Sequence, residues 1–133
     1  MKQKVLIVED DIALYNMYST ELKLRDFDVV NVSDGALAIN TIKKEKPDIV
    51  LLDVMLPQKN GLDILQEMKS DDEIKSIKVV MLTNYGTDEN ISKAVELGAE
   101  DYIMKYNIVP SELSGKVMSI LGEASDSSVK LVS

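Results

Sequence analysis

VLIVEDD, residues 5–11, joins two things that do not ordinarily sit together. Val5, Leu6, Ile7 and Val8 form an unbroken apolar run, the pattern of a strand covered on both faces. Glu9, Asp10 and Asp11 follow at once. Three like charges at the mouth of a buried strand repel one another and are poorly solvated. The same pattern returns downstream, in DIVLLD at 48–53 and KVVMLT at 78–83, each again ending on a polar residue.

Between the apolar runs, apolar residues fall at helical spacing. Residues 12–24 carry Leu14, Met17, Tyr18 and Leu22 in this way, and Asp11 directly before them reads as a helix N-cap. Strands are predicted over 4–8, 27–32, 48–53, 78–83 and 100–105. Helices are predicted over 12–24, 34–45, a segment carrying Leu62, Leu65 and Met68, then 87–97 and 111–121. Pro47 ends the second helix, because the residue before a proline is pushed out of the helical region. Gly98 serves as the C-cap of the fourth. Five strands alternating with five helices predict an α/β, doubly wound, five-stranded parallel sheet with helices on both faces. The second strand is the more mixed and belongs at an edge.

In such open sheets, ligands bind beyond the carboxyl ends of the strands. The residues there are Glu9, Asp10 and Asp11 after the first strand and Asp53 at the end of the third. Thr83 ends the fourth and Lys105 the fifth. Clustered carboxylates become useful around a hard divalent cation, and Mg²⁺ is held by one or two carboxylates, waters and phosphate oxygens. Asp10 and Asp53 can supply carboxylates, and a backbone carbonyl near Met55 a further oxygen. A carboxylate beside such a metal can act as a nucleophile toward a phosphoryl group. Lys105 would neutralise charge on the transferring oxygens, and Thr83 would donate a hydrogen bond to one of them.

The composition narrows the classes. The chain has 133 residues, one domain's worth, and a net charge of −8, which argues against nucleic acid or an anionic membrane as a direct partner. No apolar run approaches the ~20 residues of a membrane span, and the N-terminus does not read as a signal peptide. A cytoplasmic location is expected. The sequence has no cysteine and no histidine, which removes disulfides, thiolate chemistry and the commonest general base and zinc ligand. The seven methionines read as core filler. Residues 1–122 form the expected domain, and 123–133 a flexible tail or the start of a linker.

VLIVEDD, DIVLLDVMLPQKNGLDIL, VVMLT and AEDYIMK together resemble the receiver domain of two-component response regulators, a chemotaxis-type flavodoxin-like fold. The resemblance covers residues 4–122. Asp10 and Asp53 lie 43 residues apart, Asp53 and Thr83 lie 30 apart, and Thr83 and Lys105 lie 22 apart. Asp53, Pro57 and Gly61 make the segment D-x-x-x-P-x-x-x-G. The resemblance implies the strand order 2-1-3-4-5 and a phosphoacceptor at Asp53. It implies Mg²⁺ held by Asp10 directly, by Glu9 through water, by Asp53 and by the Met55 carbonyl. Thr83 falls at the switch hydroxyl, Tyr102 at the switch aromatic and Lys105 at the phosphoryl-pairing lysine. The implied partners are a histidine kinase or phosphotransfer protein upstream, and a downstream protein docking on the face of the fourth helix, fifth strand and fifth helix. That face would expose Lys93, Glu96 and Lys116. Such a chain catalyses its own phosphorylation and slow autodephosphorylation, with no turnover substrate. Where the family follows its lysine with proline, this chain has Tyr106, so the Lys105–Tyr106 peptide is expected to be trans.

Rival readings fare less well. A haloacid-type phosphatase needs a second aspartate where Met55 stands. A flavodoxin would place a Ser/Thr-rich phosphate loop where this chain has Glu-Asp-Asp. A P-loop hydrolase lacks its motif altogether. A receiver-like interaction module that is never phosphorylated should have lost Asp53, Asp10, Thr83 or Lys105, and all four are present.

Overall fold

The computed structural model describes residues 2–56, 59–84, 88–105 and 107–125. The elements alternate along the chain: β1 (Lys4–Val8), α1 (Ile12–Leu24), β2 (Asp28–Val32), α2 (Ala38–Glu45), β3 (Ile49–Asp53), α3 (Gly61–Lys69), β4 (Lys78–Thr83), α4 (Asp88–Glu96), β5 (Asp101–Met104) and α5 (Pro110–Ser125). The strands form one sheet in the order β2-β1-β3-β4-β5, and every described pairing is parallel. The doubly wound fold and the edge position of β2 are as the sequence predicts.

Alternation along each strand builds the two cores. Leu6, Val8, Val50, Leu52, Val79 and Met81 face one side, where they pack with Ile42, Leu65, Met68 and Ala94 of α2, α3 and α4. Val5, Ile7, Ile49, Leu51, Val80, Leu82 and Ile103 face the other, against Leu14, Tyr18 and Leu22 of α1 and Leu113, Val117 and Leu121 of α5. All five residues of β3 are buried. Full burial of each Val, Leu or Ile side chain contributes about 1.5–3 kcal/mol, so the central strand is fixed from both sides.

Local signals set most helix ends. The Asp11 carboxylate accepts from the backbone N–H groups of Ala13 (3.0 Å) and Leu14 (3.2 Å), as an N-cap should. Lys46, trapped between α2 and Pro47, takes the left-handed conformation with φ of 48°. Gly98 sits at φ 97°, the C-cap role read from the sequence.

Several boundaries differ from expectation, most of them by a single residue. Residues 35–37 form a 3₁₀ turn, not the first turn of α2, because Asp34 Oδ1 accepts from Ala36 N–H and tightens the chain there. β5 ends at Met104, which leaves Lys105 just past the strand. α5 begins on Pro110, whose missing N–H is no loss at the first helical position, with Glu112 Oε1 accepting from Val109 N–H. It then runs on to Ser125, since Gly122 weakens a helix without ending it. Met68 and Met81 are core residues, but Met17, Met55 and Met118 are exposed, which corrects the reading of methionine as filler throughout. Pro57, Thr87, Tyr106 with its preceding peptide bond, and residues 126–133 lie outside the described residues. Among the described residues, no helix is long and apolar enough to cross a membrane.

Candidate functional site

Register brings the strand ends together. Val8 pairs with Leu52, so Glu9 and Asp53 emerge at the same level on neighbouring strands. Asp53 pairs with Leu82, and Thr83 with Met104, so Thr83 and then Lys105 stand one step further out. Lys105 N–H donates to the Thr83 carbonyl at 2.9 Å, fixing the start of the loop after β5. On α1, Tyr18 is wholly buried and its hydroxyl donates to the Lys105 carbonyl at 3.2 Å.

Gly61 lets α3 start against the end of β3. A Cβ at this position would overlap the Asp53 carbonyl oxygen and come within 2.9 Å of Val54 Cα. Gly61 N–H donates to the Val54 carbonyl, and Asn60 caps the helix by accepting from Leu62 N–H at 2.7 Å. Asn60 escaped the sequence reading, although an Asn directly before Gly-Leu-Asp-Ile-Leu is a cap signal.

The polar groups then meet in a nearly dry space. Glu9, Asp53 and Lys105 are 1%, 2% and 5% exposed. Lys105 Nζ lies 2.8 Å from Asp53 Oδ2 and 2.6 Å from Glu9 Oε1. The contact with Asp53 is a hydrogen bond, and the buried Glu9 Oε1 has, among the described residues, no partner beyond its close contact with the Lys105 ammonium. Glu9 Oε2 accepts from Asp11 N–H, and Asp53 Oδ1 from Met55 N–H. Burial pushes the Glu9 carboxyl up to about 7, with Lys105 and the Asp11 N–H pulling against it. Burial works against the Lys105 ammonium too, but Asp53 and Glu9 outweigh it and hold Lys105 above its ordinary value.

Asp10 is exposed at the rim. Oxygens of Glu9, Asp10 and Asp53 all lie within 4.8 Å of one another. Lys105 offsets one of these three carboxylates, and Glu9 Oε1 lacks a hydrogen bond. This donor set of hard oxygens, with negative charge in excess, fits a hard divalent cation. The Met55 side chain is exposed, and its backbone N–H is spent on Asp53 Oδ1.

Thr83 is buried beside this cluster. With Val54, Met81, Asn90, Ile91, Ala94 and Tyr102 it lines a small apolar cavity between β4 and α4. Tyr102 stands at the outer edge of that cavity and is 36% exposed. Lys93, Glu96 and Lys116 are exposed as expected, with Lys116 Nζ 2.9 Å from Asp101 Oδ2. The structure thus gathers Glu9, Asp10, Asp53, Thr83 and Lys105 at one end of the sheet, and sets Tyr102 on its flank.

The family model for the response regulator receiver domain matches residues 5–117. The chain is 35% identical over 133 residues to the DNA-binding response regulator MtrA of Mycobacterium tuberculosis, covering all of this chain and 57% of that one. It spans about half the length of the curated relatives it matches. Among solved structures, the BeF₃-activated N-terminal receiver domain of RstA from Klebsiella pneumoniae superposes with a TM-score of 0.82 at 34% identity, over 90% of this chain and 98% of that one. The Mn²⁺-bound form of the response regulator Rcp1 superposes with a TM-score of 0.77 at 27% identity, over 94% and 96% of the two chains.

Proposed function

Because the chain belongs to the response regulator receiver domain family, we propose that it takes a phosphoryl group onto Asp53 from the phosphohistidine of a partner kinase or phosphotransfer protein. An Asp53 carboxylate oxygen forms the new P–O bond as the donor's N–P bond breaks, and the electron pair returns to the imidazole nitrogen, which regains a proton. The single observation behind this reading is the contact of a buried lysine with a buried strand-end carboxylate, Lys105 Nζ to Asp53 Oδ2 at 2.8 Å, beside two further acids.

Asp53 is suited to the nucleophile's role, since Met55 N–H and Lys105 orient its two oxygens in a site with little water. Lys105 follows the charge as it spreads over the phosphoryl oxygens, and the Thr83 hydroxyl donates to one of them. Asp10, Glu9, Asp53 and the Met55 backbone would hold Mg²⁺. When bound, the cation supplies the positive charge that lets phosphate approach three carboxylates. The Mn²⁺-bound Rcp1 structure supports a divalent ion at such a site.

The same reading makes the face of α4, β5 and α5 the output surface, read by a downstream protein. Thr83 moving toward the phosphoryl group would vacate room that Tyr102 fills by turning into the cavity. Residues 1–122 act as the receiver unit in the cytoplasm, with 123–133 as a tail or linker that α5 enters.

Acetyl phosphate with Mg²⁺, followed by intact-mass measurement, tests the reading. The wild-type chain should gain one phosphoryl group, and Asp53→Asn, which keeps the shape without the reactive oxyanion, should gain none while remaining folded. Equal uptake by Asp53→Asn would remove Asp53 from the role. No uptake by either protein would favour an interaction module that is never phosphorylated.

A further inference from the structure

Lys105 reaches Glu9 and Asp53 through a four-carbon stem that has many rotamers, so where its ammonium sits depends on where its backbone is held. Two bonds hold that backbone. On the sheet side, Lys105 N–H donates to the Thr83 carbonyl at 2.9 Å. On the core side, the Lys105 carbonyl accepts from the hydroxyl of Tyr18 at 3.2 Å. Tyr18 cannot move to follow the loop. It is fully buried, in the core cluster that also holds Val5, Ile7, Leu22, Ile103, Leu113 and Val117. It also stands on the helix whose first residues follow the acidic turn, and Asp11, which caps that helix, donates its own N–H to Glu9. From Asp11 to Tyr18 is about 10 Å along the helix axis. One rigid rod therefore touches the acids at its N-terminus and the lysine two turns later.

We propose that Tyr18 is a positioning residue for Lys105. Its hydroxyl fixes the Lys105 carbonyl, and so sets the ammonium for pairing with the transferring phosphoryl group. This inference rests on the phosphoacceptor reading and adds to it a residue 87 positions away in sequence. The bond is long for an O–H···O contact, so its loss should slow the reaction rather than abolish it.

A double-mutant cycle on the full 133-residue chain tests this, with acetyl phosphate and Mg²⁺ as the probe and intact mass as the readout. Tyr18→Phe keeps the buried ring and loses only the hydroxyl. It should slow phosphoryl uptake about fivefold, with Mg²⁺ affinity changed less than about twofold. In a Lys105→Met background, the same change should slow uptake no further. Leu22→Val, a trimmed core residue on the same helix, should leave the rate near wild type despite a similar drop in melting temperature. The inference is overturned if Tyr18→Phe matches the wild-type rate. It is equally overturned if the variant slows both backgrounds alike, or if Leu22→Val slows uptake as much, since Tyr18 would then matter only to the fold. Failure of the wild-type chain to take up phosphoryl, or equal uptake by Asp53→Asn, would instead sink the phosphoacceptor reading and this inference with it.

Discussion

Glu9 holds a tension that pH should expose. Its carboxyl is buried and raised from the ordinary 4.5 to about 7, so without metal the folded state binds its proton more tightly than the unfolded chain does. Stability then falls as pH rises wherever the folded state holds the extra proton, that is, between about 4.5 and 7. The full shift corresponds to about 3 kcal/mol, present below the unfolded value and lost as pH passes the folded one. Denaturant unfolding of the metal-free protein across this window should show that decline, and Glu9→Gln, which cannot titrate, should flatten it. Parallel curves for the two proteins would mean that Lys105 keeps Glu9 ionised at all these pH values. Gly61 shows the opposite kind of constraint. It carries no charge, but a methyl group there would drive α3 off the end of β3, where Asp53 stands.

The turn from β1 into α1 divides its three acids by task. Asp11 spends its carboxylate on the helix, Glu9 faces Lys105, and Asp10 is left at the rim. Asp11→Ala should therefore cost about 0.5–2 kcal/mol as a lost cap, with Mg²⁺ affinity little changed. Asp10→Asn should do the reverse, weakening Mg²⁺ binding and stabilising the metal-free protein by removing one like charge. Thermal melts and Mg²⁺ titrations of both variants settle which acid does which, and the opposite pattern would exchange their roles. Such elements were legible because their causes are local. Continuous apolar runs marked β1, β3 and β4, and Asp11 and Gly98 marked helix ends. What escaped was set by neighbours distant in sequence or by small balances of energy. The 3₁₀ turn at 35–37 depends on how the Asp34 side chain competes for a backbone N–H. The strand-end residues could be placed on one edge by pattern, but the bridging of Glu9 and Asp53 by Lys105 needs the register of three strands. Tyr18 looked like one more apolar position, since only the folded chain brings its hydroxyl to Lys105.

For the whole molecule, the question is how a change at Asp53 leaves the site. Phosphorylation adds charge and acceptor oxygens at one point, and something nearby must have two arrangements to pass the change on. With beryllofluoride and Mg²⁺ as a phosphate mimic, amide shifts should change across residues 83–106, well beyond contact range. Thr83→Ala should still bind the mimic but lose most of that spread. Shifts confined to the loops around Asp10 and Asp53 would mean that a partner reads those loops directly. Burial falls from the centre of the sheet to both edges, β2 and β5, and β5 is the edge that ends beside Lys105. β3 is buried at every residue and β4 at all but Lys78, whereas β5 is a four-residue edge strand with only Ile103 buried. In mechanical terms, Asp53 stands on an anvil, and the outer part of β5, where Tyr102 is exposed, is a spring. A load applied between them could not be absorbed by the stiff centre without breaking two cores, so on the proposed reading the compliant rim would take it up. On the proposed reading, displacement would leave through β5, the edge that ends beside Lys105, while the buried centre stays in place.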